Sequence, residues 1–457
     1  MPATDLSLLF SPRSIAVVGA SDNLAKLGGQ VIARLATGFA GALYPINSSR
    51  GEIAGRPALP SLAALSEPID LLIALAPGAA LVEIVEQCAP GQVRFLLAIP
   101  SGFAEVPGEG TALQDRLAAA ARRAGMRVVG PNCVGLLNGT TGLNASIIPL
   151  MPPGAGRGLG IITQSGGFGM ATAMYAADSG MSVSRFCDVG NTIDLPAADF
   201  IDYLADDPDT EVIGAFIESV HDPQAFGTAL ARAAARKPVL LCRLARTPAG
   251  HQASLAHVGI VPDGDTLARH IPASVTSVES GQDLLHLAKA LLWTSTPPRG
   301  RRVAIVTGTG GIGAEMADLA FERGLSVPLF SDRLQSLLRR HLPPYAATAN
   351  PVDLTPVWND YPWIYPAIVE DIAASGEADL VIASITDVPT TLPDLALQLG
   401  ARARAGFGLP LVVFWGSRDA DLAKMAPLQA AHIPCYRSTR DLVQVAAGLA
   451  VVAGRLG

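Results

Sequence analysis

The sequence predicts parallel α/β architecture repeated along the chain, and three observations carry that expectation. Short apolar runs such as RSIAVV (13–18), IDLLIALAP (69–77) and PVLLCRL (238–244) read as strands buried on both faces, the pattern of parallel sheets. Helix-forming stretches alternate with them at α/β spacing. Two glycine-rich turns about 145 residues apart, TQSGGFG (163–169) and TGTGGIG (307–313), each join a strand to a helix, so one layer reads as a second copy of another. A chain of 457 residues accommodates three such units, placed at 1–145, 146–293 and 300–457.

The first unit opens in the nucleotide-binding manner. RSIAVV runs into Gly19, Ala20 and Ser21, a loop with Lys26, Gly28 and Gly29 precedes the helix QVIARLATGF, and ALYPIN (42–47) is the second strand. This is a Rossmann-like βαβ start, although GASDNLAKLGG does not fit the G-x-G-x-x-G dinucleotide pattern. The second strand ends Asn47-Ser48-Ser49-Arg50, without the acid that holds the ribose of a nicotinamide dinucleotide. That ending argues against an NAD(P)-dependent oxidoreductase. Lys26 and Arg50 point instead to a ligand carrying extra phosphate. Strands at 69–77, 93–103 and 127–132 end in Pro, Gly, Ser or Asn, at the edge where open parallel sheets bind ligands. Asn132 and Cys133 lie at the last such edge, where Cys133 reads as a packed small residue, not a nucleophile.

A loop rich in Pro and Gly (150–158) starts the second unit. Its strand LGIITQ leads into Ser165-Gly166-Gly167 and a helix, so unpaired amides and the helix dipole make an anion cradle at the turn. VSRFCDVGN (183–191), the helix AADFIDYLADD, VIGAFIES ending at Glu218, and PVLLCRL complete a flavodoxin-like layer. Asp188, Asn191 and Asp194 read as shaping a turn; no His/Cys cluster accompanies them, and no metal site is expected. A loop rich in Gly, Pro and Ser is expected after PVLLCRL, with His257 beyond it. Histidine can be a nucleophile as well as an acid or base, and a carboxylate orients an imidazole and stabilises its charged form. His257, Glu218 and the glycine turn together suggest a phosphohistidine site. The other histidines (His221, His251, His270, His286, His341, His432) carry no such context. After a linker at 294–300, TGTGGIG, NPVDL (350–354), DLVIASI and LPLVVFW make a second flavodoxin-like layer.

Composition sets other classes aside. A net charge of −7 without basic clusters argues against nucleic acid as the main partner. No apolar stretch reaches the roughly 18 residues of a membrane span, and MPATDLSLLFSPRS lacks the pattern of an export signal. The five cysteines (88, 133, 187, 242, 435) are scattered and odd in number, as in a cytoplasmic protein with reduced thiols.

Several of these pieces recur together elsewhere. VVGAS (17–21), YPIN (44–47), PSGFAE (100–105), GPNCVG (130–135), TQSGG (163–167), VGNTIDLPAADFIDYLADDPDT (189–210), Glu218 and His257-Val258-Gly259 follow in an order that resembles the NDP-forming acyl-CoA synthetases. That family includes the succinyl-CoA synthetase α subunit and the ADP-forming acetate–CoA ligases; TGTGG and NPVDL are similar to the additional flavodoxin-like domain of the latter. The resemblance implies a Rossmann-like CoA-binding domain followed by two flavodoxin-like domains. It implies phosphorylation at His257, with Glu218 holding that histidine and Ser165, Gly166 and Gly167 binding phosphate. Gly19, Ala20, Ser21, Arg50, Ile99 and Ser101, with Lys26 close by, are implied to line the CoA site, and Asn132 and Cys133 to lie near the reacting thiol. The acyl pocket is expected near Phe168 and Met170. The implied reaction interconverts acyl-CoA, ADP and phosphate with a carboxylic acid, ATP and CoA, through acyl phosphate and phosphohistidine. ADP or ATP with Mg²⁺ would bind mainly on an ATP-grasp module; no such stretch is found, so a separate β subunit is expected, in a homodimer or an α₂β₂ assembly. The sequence departs from the family at Ala256-His257-Val258-Gly259, where ADP-forming relatives commonly read SHTG, at Arg243, where lysine is usual, and at Ser48-Ser49, where Pro-Lys is common. Those departures motivate a second expectation, a non-catalytic CoA- or acyl-CoA-binding regulator of the same fold.

Overall fold

The structure is a computed structural model that describes residues 5–149, 157–258, 264–386 and 392–456. It divides into two compact units, Met1–Gly281 and Gln282–Gly457.

The first unit holds two sheets. The strands Ala42–Ile46, Ser14–Val18, Ile69–Ala74, Val93–Ala98 and Arg127–Val129 lie side by side in that order, all parallel. Every residue of Ile69–Ala74 is buried, as expected of a strand covered by helices on both faces. A second, seven-stranded sheet runs Thr276–Val278, Val239–Arg243, Thr210–Ile217, Gly158–Thr163, Val183–Asp188, Gly135–Asn138, Leu143–Ser146. Its first five strands are parallel and the last two antiparallel. Sheet membership thus changes between Val129 and Gly135, ahead of the limit at 145 expected from sequence. The joint is pinned by Arg34, on the helix Leu27–Gly38, which donates to the Ser146 carbonyl at 2.7 Å.

The second unit has one parallel sheet, ordered Val352–Asp353, Val303–Thr307, Leu380–Thr386, Leu411–Gly416, Cys435–Tyr436. The helix Gly281–Trp293 packs with it: Tyr436 donates its hydroxyl to the His286 carbonyl at 2.8 Å, and Leu287 fills the space beside Gly448. The expected limits of 146–293 instead place that helix with the middle layer.

The duplicated turn is real at the atomic level. Thr163 Oγ1 donates to the Ser165 carbonyl at 3.1 Å and accepts from the Ser165 N–H at 2.9 Å. Thr307 makes the same pair with Thr309, both at 3.0 Å.

The amino-terminal edges carry a second repeated device. Arg13 binds Asp70 through its backbone N–H (2.8 Å), Nε and Nη2 (both 3.1 Å). Arg302 binds Asp379 through the same three donors at 2.8, 3.2 and 2.8 Å. Burial pushes both carboxyls up, but the arginine hydrogen bonds outweigh it and hold them below the ordinary aspartate range. A depressed carboxyl stabilises the fold above its unfolded pKa, and that contribution fades as pH falls through the folded value. The melting-temperature gap between wild type and Asp70→Asn should therefore be largest near neutrality and close as the pH drops below roughly 4. A gap that persists unchanged at pH 2.5 would contradict this account.

Candidate active site

The carboxyl ends of the first sheet and the glycine turn of the second enclose a cleft of about 590 Å³. From the first sheet come Ile99 and Ser101 beyond Val93–Ala98, and Asn132 and Cys133 beyond Arg127–Val129. From the second come Gln164, Gly166 and Gly167. Seven residues anticipated from sequence thus share one cleft: Ile99, Ser101, Asn132, Cys133, Gly166, Gly167 and Met170.

The turn is built for close approach. Ser165 caps the helix Gly166–Ser179, its Oγ accepting from the Phe168 N–H at 3.4 Å. A Cβ at Gly166 would lie 2.5 Å from Val134 Cγ1, whereas one at Gly167 would meet nothing within 4 Å, so the turn offers an open backbone to the cleft. Asp188 stands beside the turn, its Oδ2 3.5 Å from where a Gly166 Cβ would lie; the residue is 1% exposed, and its carboxyl accepts from the Val134 N–H at 2.8 Å and the Gly190 N–H at 3.2 Å. Its bond to the Gly190 N–H shapes the turn after Val183–Asp188, and Asp188 also lines the cleft. Asn191 bridges back to the first layer, donating to Glu105 and Gln114 at 2.9 Å each, and Asp194 accepts from Arg127 and from the Val128 N–H at 2.8 Å.

Glu218 follows the strand Thr210–Ile217 and is 6% exposed. Gln164 holds its backbone, Oε1 accepting from the Glu218 N–H at 2.7 Å and the Ser219 N–H at 3.0 Å. Ser254 donates to its carboxylate at 3.2 Å. Ser254 belongs to the helix Pro248–Val258, which also contains His257. The stretch after PVLLCRL is thus helical up to Val258, where a loop was expected. Pro248 stands at the start, where a missing N–H costs nothing, and Thr247 Oγ1 accepts from the Gly250 N–H at 3.1 Å as a cap. The His257 side chain and Gly259 lie outside the described residues.

The remaining anticipated residues are placed apart. Gly19 lines a second cleft, of about 470 Å³, together with Asn47, Ser48 and Ser49 at the end of Ala42–Ile46. Ala20, Ser21, Lys26 and Arg50 line neither cleft. Ala20 is buried and its carbonyl accepts from Asn47, Ser21 accepts from the Asn23 N–H, and Lys26 and Arg50 are exposed. Met170 lines the main cleft, but Phe168 stacks on Phe216 at 3.8 Å and does not. Cys133 is buried, its thiol donates to the Ala98 carbonyl at 3.3 Å, and burial, then the nearby Asp188, pushes it well above the ordinary thiol range. It packs. Gln164 and Ser254 were not singled out from sequence, although Gln164 stands inside TQSGG and Ser254 three residues before His257.

Among the described residues no group of three or more His, Cys, Asp or Glu could hold a metal ion, and no helix is long and apolar enough to cross a membrane.

Comparison with known proteins finds three matched domains along the chain. Residues 13–139 match a family model described as a CoA binding domain, 156–291 one described as a succinyl-CoA ligase like flavodoxin domain, and 303–388 one described as a Ligase-CoA domain. The α subunit of acetate–CoA ligase (ADP-forming) II from Pyrococcus furiosus is 32% identical over 351 residues, 76% of each chain. Trans-feruloyl-CoA synthase from an unknown prokaryotic organism is 28% identical over 98% of this chain, which spans 65% of that longer protein. The solved dinucleotide-forming acetyl-coenzyme A synthetase 1 of Ca. Korarchaeum cryptofilum, in complex with phosphate and ADP, superposes with a TM-score of 0.89 at 27% identity, covering 99% of this chain and 97% of that one. These relatives are acid–thiol ligases, which supports a ligase and lends nothing to a non-catalytic regulator. With its Rossmann-like layer, its two flavodoxin-like layers and its glycine-turn cleft, the chain belongs to the ADP-forming acyl-CoA ligases, as a chain of the α-subunit type.

Proposed function

We propose that this chain interconverts acyl-CoA and free acid by carrying a phosphoryl group on His257, and that a separate ATP-grasp chain supplies the nucleotide site. The observation that carries the reading is Glu218: a buried carboxylate tied to the glycine turn through Gln164 and to the His257 helix through Ser254. Phosphate attacks the thioester carbonyl of acyl-CoA, giving acyl phosphate and the CoA thiol. His257 then takes the phosphoryl group, releasing the carboxylate, and ADP removes it as ATP. Glu218 orients the imidazole and stabilises its charged form. The amides of the glycine turn face the phosphoryl oxygens, and Ile99, Ser101 and Asn132 hold the pantetheine end of CoA on the first layer. Mg²⁺ would arrive with the nucleotide, on the partner. A separate partner is favoured by the near-complete overlap with one solved synthetase chain, while the longer feruloyl relative leaves room for a fused arrangement. Incubation with a matched ATP-grasp chain and γ-labelled ATP should leave acid-labile phosphate on this chain; an unlabelled chain with nucleotide and Mg²⁺ present sinks the proposal.

The cleft also bears on the acid. Its apolar lining includes Met170, Val134 and Ile147, and the only charged side chain among its described lining residues is Asp188. A second carboxylate on the substrate would meet no cation there and would face that acid. We expect an apolar monocarboxylate such as butyrate to exceed succinate in kcat/KM by at least about tenfold. Equal use of the two acids would refute it.

A further inference from the structure

We infer that Ser254 is a positioning residue, fixing the rotation of the histidine helix against Glu218. The inference rests on the proposed role of His257. Ser254 is 7% exposed, and its Oγ donates to Glu218 Oε2 at 3.2 Å. A serine inside a helix ordinarily turns its hydroxyl back to its own helix or out to water. Here the hydroxyl crosses 36 residues of sequence to a buried carboxylate at the end of another strand. The helix Pro248–Val258 places positions 254 and 257, three apart, on the same side. A bond at 254 therefore fixes the rotation of the helix that carries position 257.

Glu218 is held from two directions. Gln164 Oε1 takes the N–H groups of Glu218 and Ser219, fixing the backbone to the strand that opens the glycine turn. Ser254 takes the carboxylate from the other side. The carboxylate therefore couples turn and histidine helix, and Ser254 joins the histidine helix to that coupling. Its hydroxyl also occupies one carboxylate lone pair, leaving the group a narrower choice of geometry toward the imidazole.

The test uses the complete complex with its ATP-grasp chain and compares Ser254→Ala, Ser254→Cys and Ser254→Thr. Cysteine keeps the volume and loses most of the donor strength; threonine keeps the donor. Alanine and cysteine should each slow His257 labelling from γ-labelled ATP and lower kcat by about 10- to 100-fold, with KM for CoA within about twofold because CoA binds the other layer. Threonine should recover most of the rate. A cysteine variant as fast as wild type, or a loss shared equally by kcat and CoA affinity, would assign Ser254 to packing and overturn the inference. Labelled wild type alongside an equally labelled alanine variant overturns this inference alone. An unlabelled wild type overturns the phosphohistidine reading with it.

Discussion

Replacing His257 with asparagine is expected to abolish acid-labile phosphate on the chain and to lower acyl-CoA synthesis from ATP by at least about a thousandfold. No side chain among the described residues lining the cleft offers a substitute nucleophile. Cys133 is buried, hydrogen-bonded to the Ala98 carbonyl, and has a thiol pKa pushed well up; Asp188 is buried and taken up by the Val134 and Gly190 N–H groups, and no histidine among the described lining residues stands by to activate Ser101. The loss should be selective. In the proposed reaction, attack of phosphate on acyl-CoA uses the proposed CoA edge and the glycine turn but no phosphoryl acceptor, so the variant should still exchange labelled phosphate into acyl phosphate when supplied with acyl-CoA. Glu218→Gln keeps the shape and removes the charge, and belongs between the two, about 10- to 100-fold below wild type. Asparagine at 257 with wild-type labelling would move the phosphoryl carrier elsewhere and end the assignment.

What could be read from the residues was whatever depends on local pattern. Buried strands announce themselves as apolar runs, and TQSGG and TGTGG repeat one turn whose threonine makes the same two hydrogen bonds in each copy. The sequence cannot state which sheet a strand joins: Gly135–Asn138 falls inside the expected first unit at 1–145, yet it pairs in the second sheet. Composition misled at 248–258: Pro, Gly and Ser suggest a loop, yet proline at a helix start and a capping threonine favour the helix found there. Lys26 and Arg50 show the limit for charge. Their sign was legible, but their distance from the clefts depends on how the loops after the first and second strands fold. Gln164 and Ser254 were hidden for a related reason: a side-chain hydrogen bond to a residue 54 or 36 positions away has no sequence signature.

Gly28→Ala should dismantle the proposed CoA edge from a position that lines neither cleft. Gly28 sits in the first turn of the helix Leu27–Gly38, buried against the turn that follows Ser14–Val18. A Cβ there would lie 1.9 Å from the Gly19 carbonyl oxygen and 3.0 Å from its carbon. Gly19 cannot yield easily: its φ is +85°, and its own Cβ position is 3.1 Å from the Leu75 backbone. The helix must therefore lift, at a cost of about 3 kcal/mol or more, and Leu27, which lines the main cleft, moves with it. CoA affinity by calorimetry should fall at least about tenfold for each 1.4 kcal/mol that binding must repay to re-seat the helix. Amide exchange in Leu27–Gly38 should accelerate while the second unit is unchanged. Gly51→Ala is the matched control, because a Cβ at Gly51 meets nothing within 4 Å. If the Gly28 variant bound CoA as tightly as that control, the close seating of this helix on the first strand's turn would not be what shapes the CoA edge.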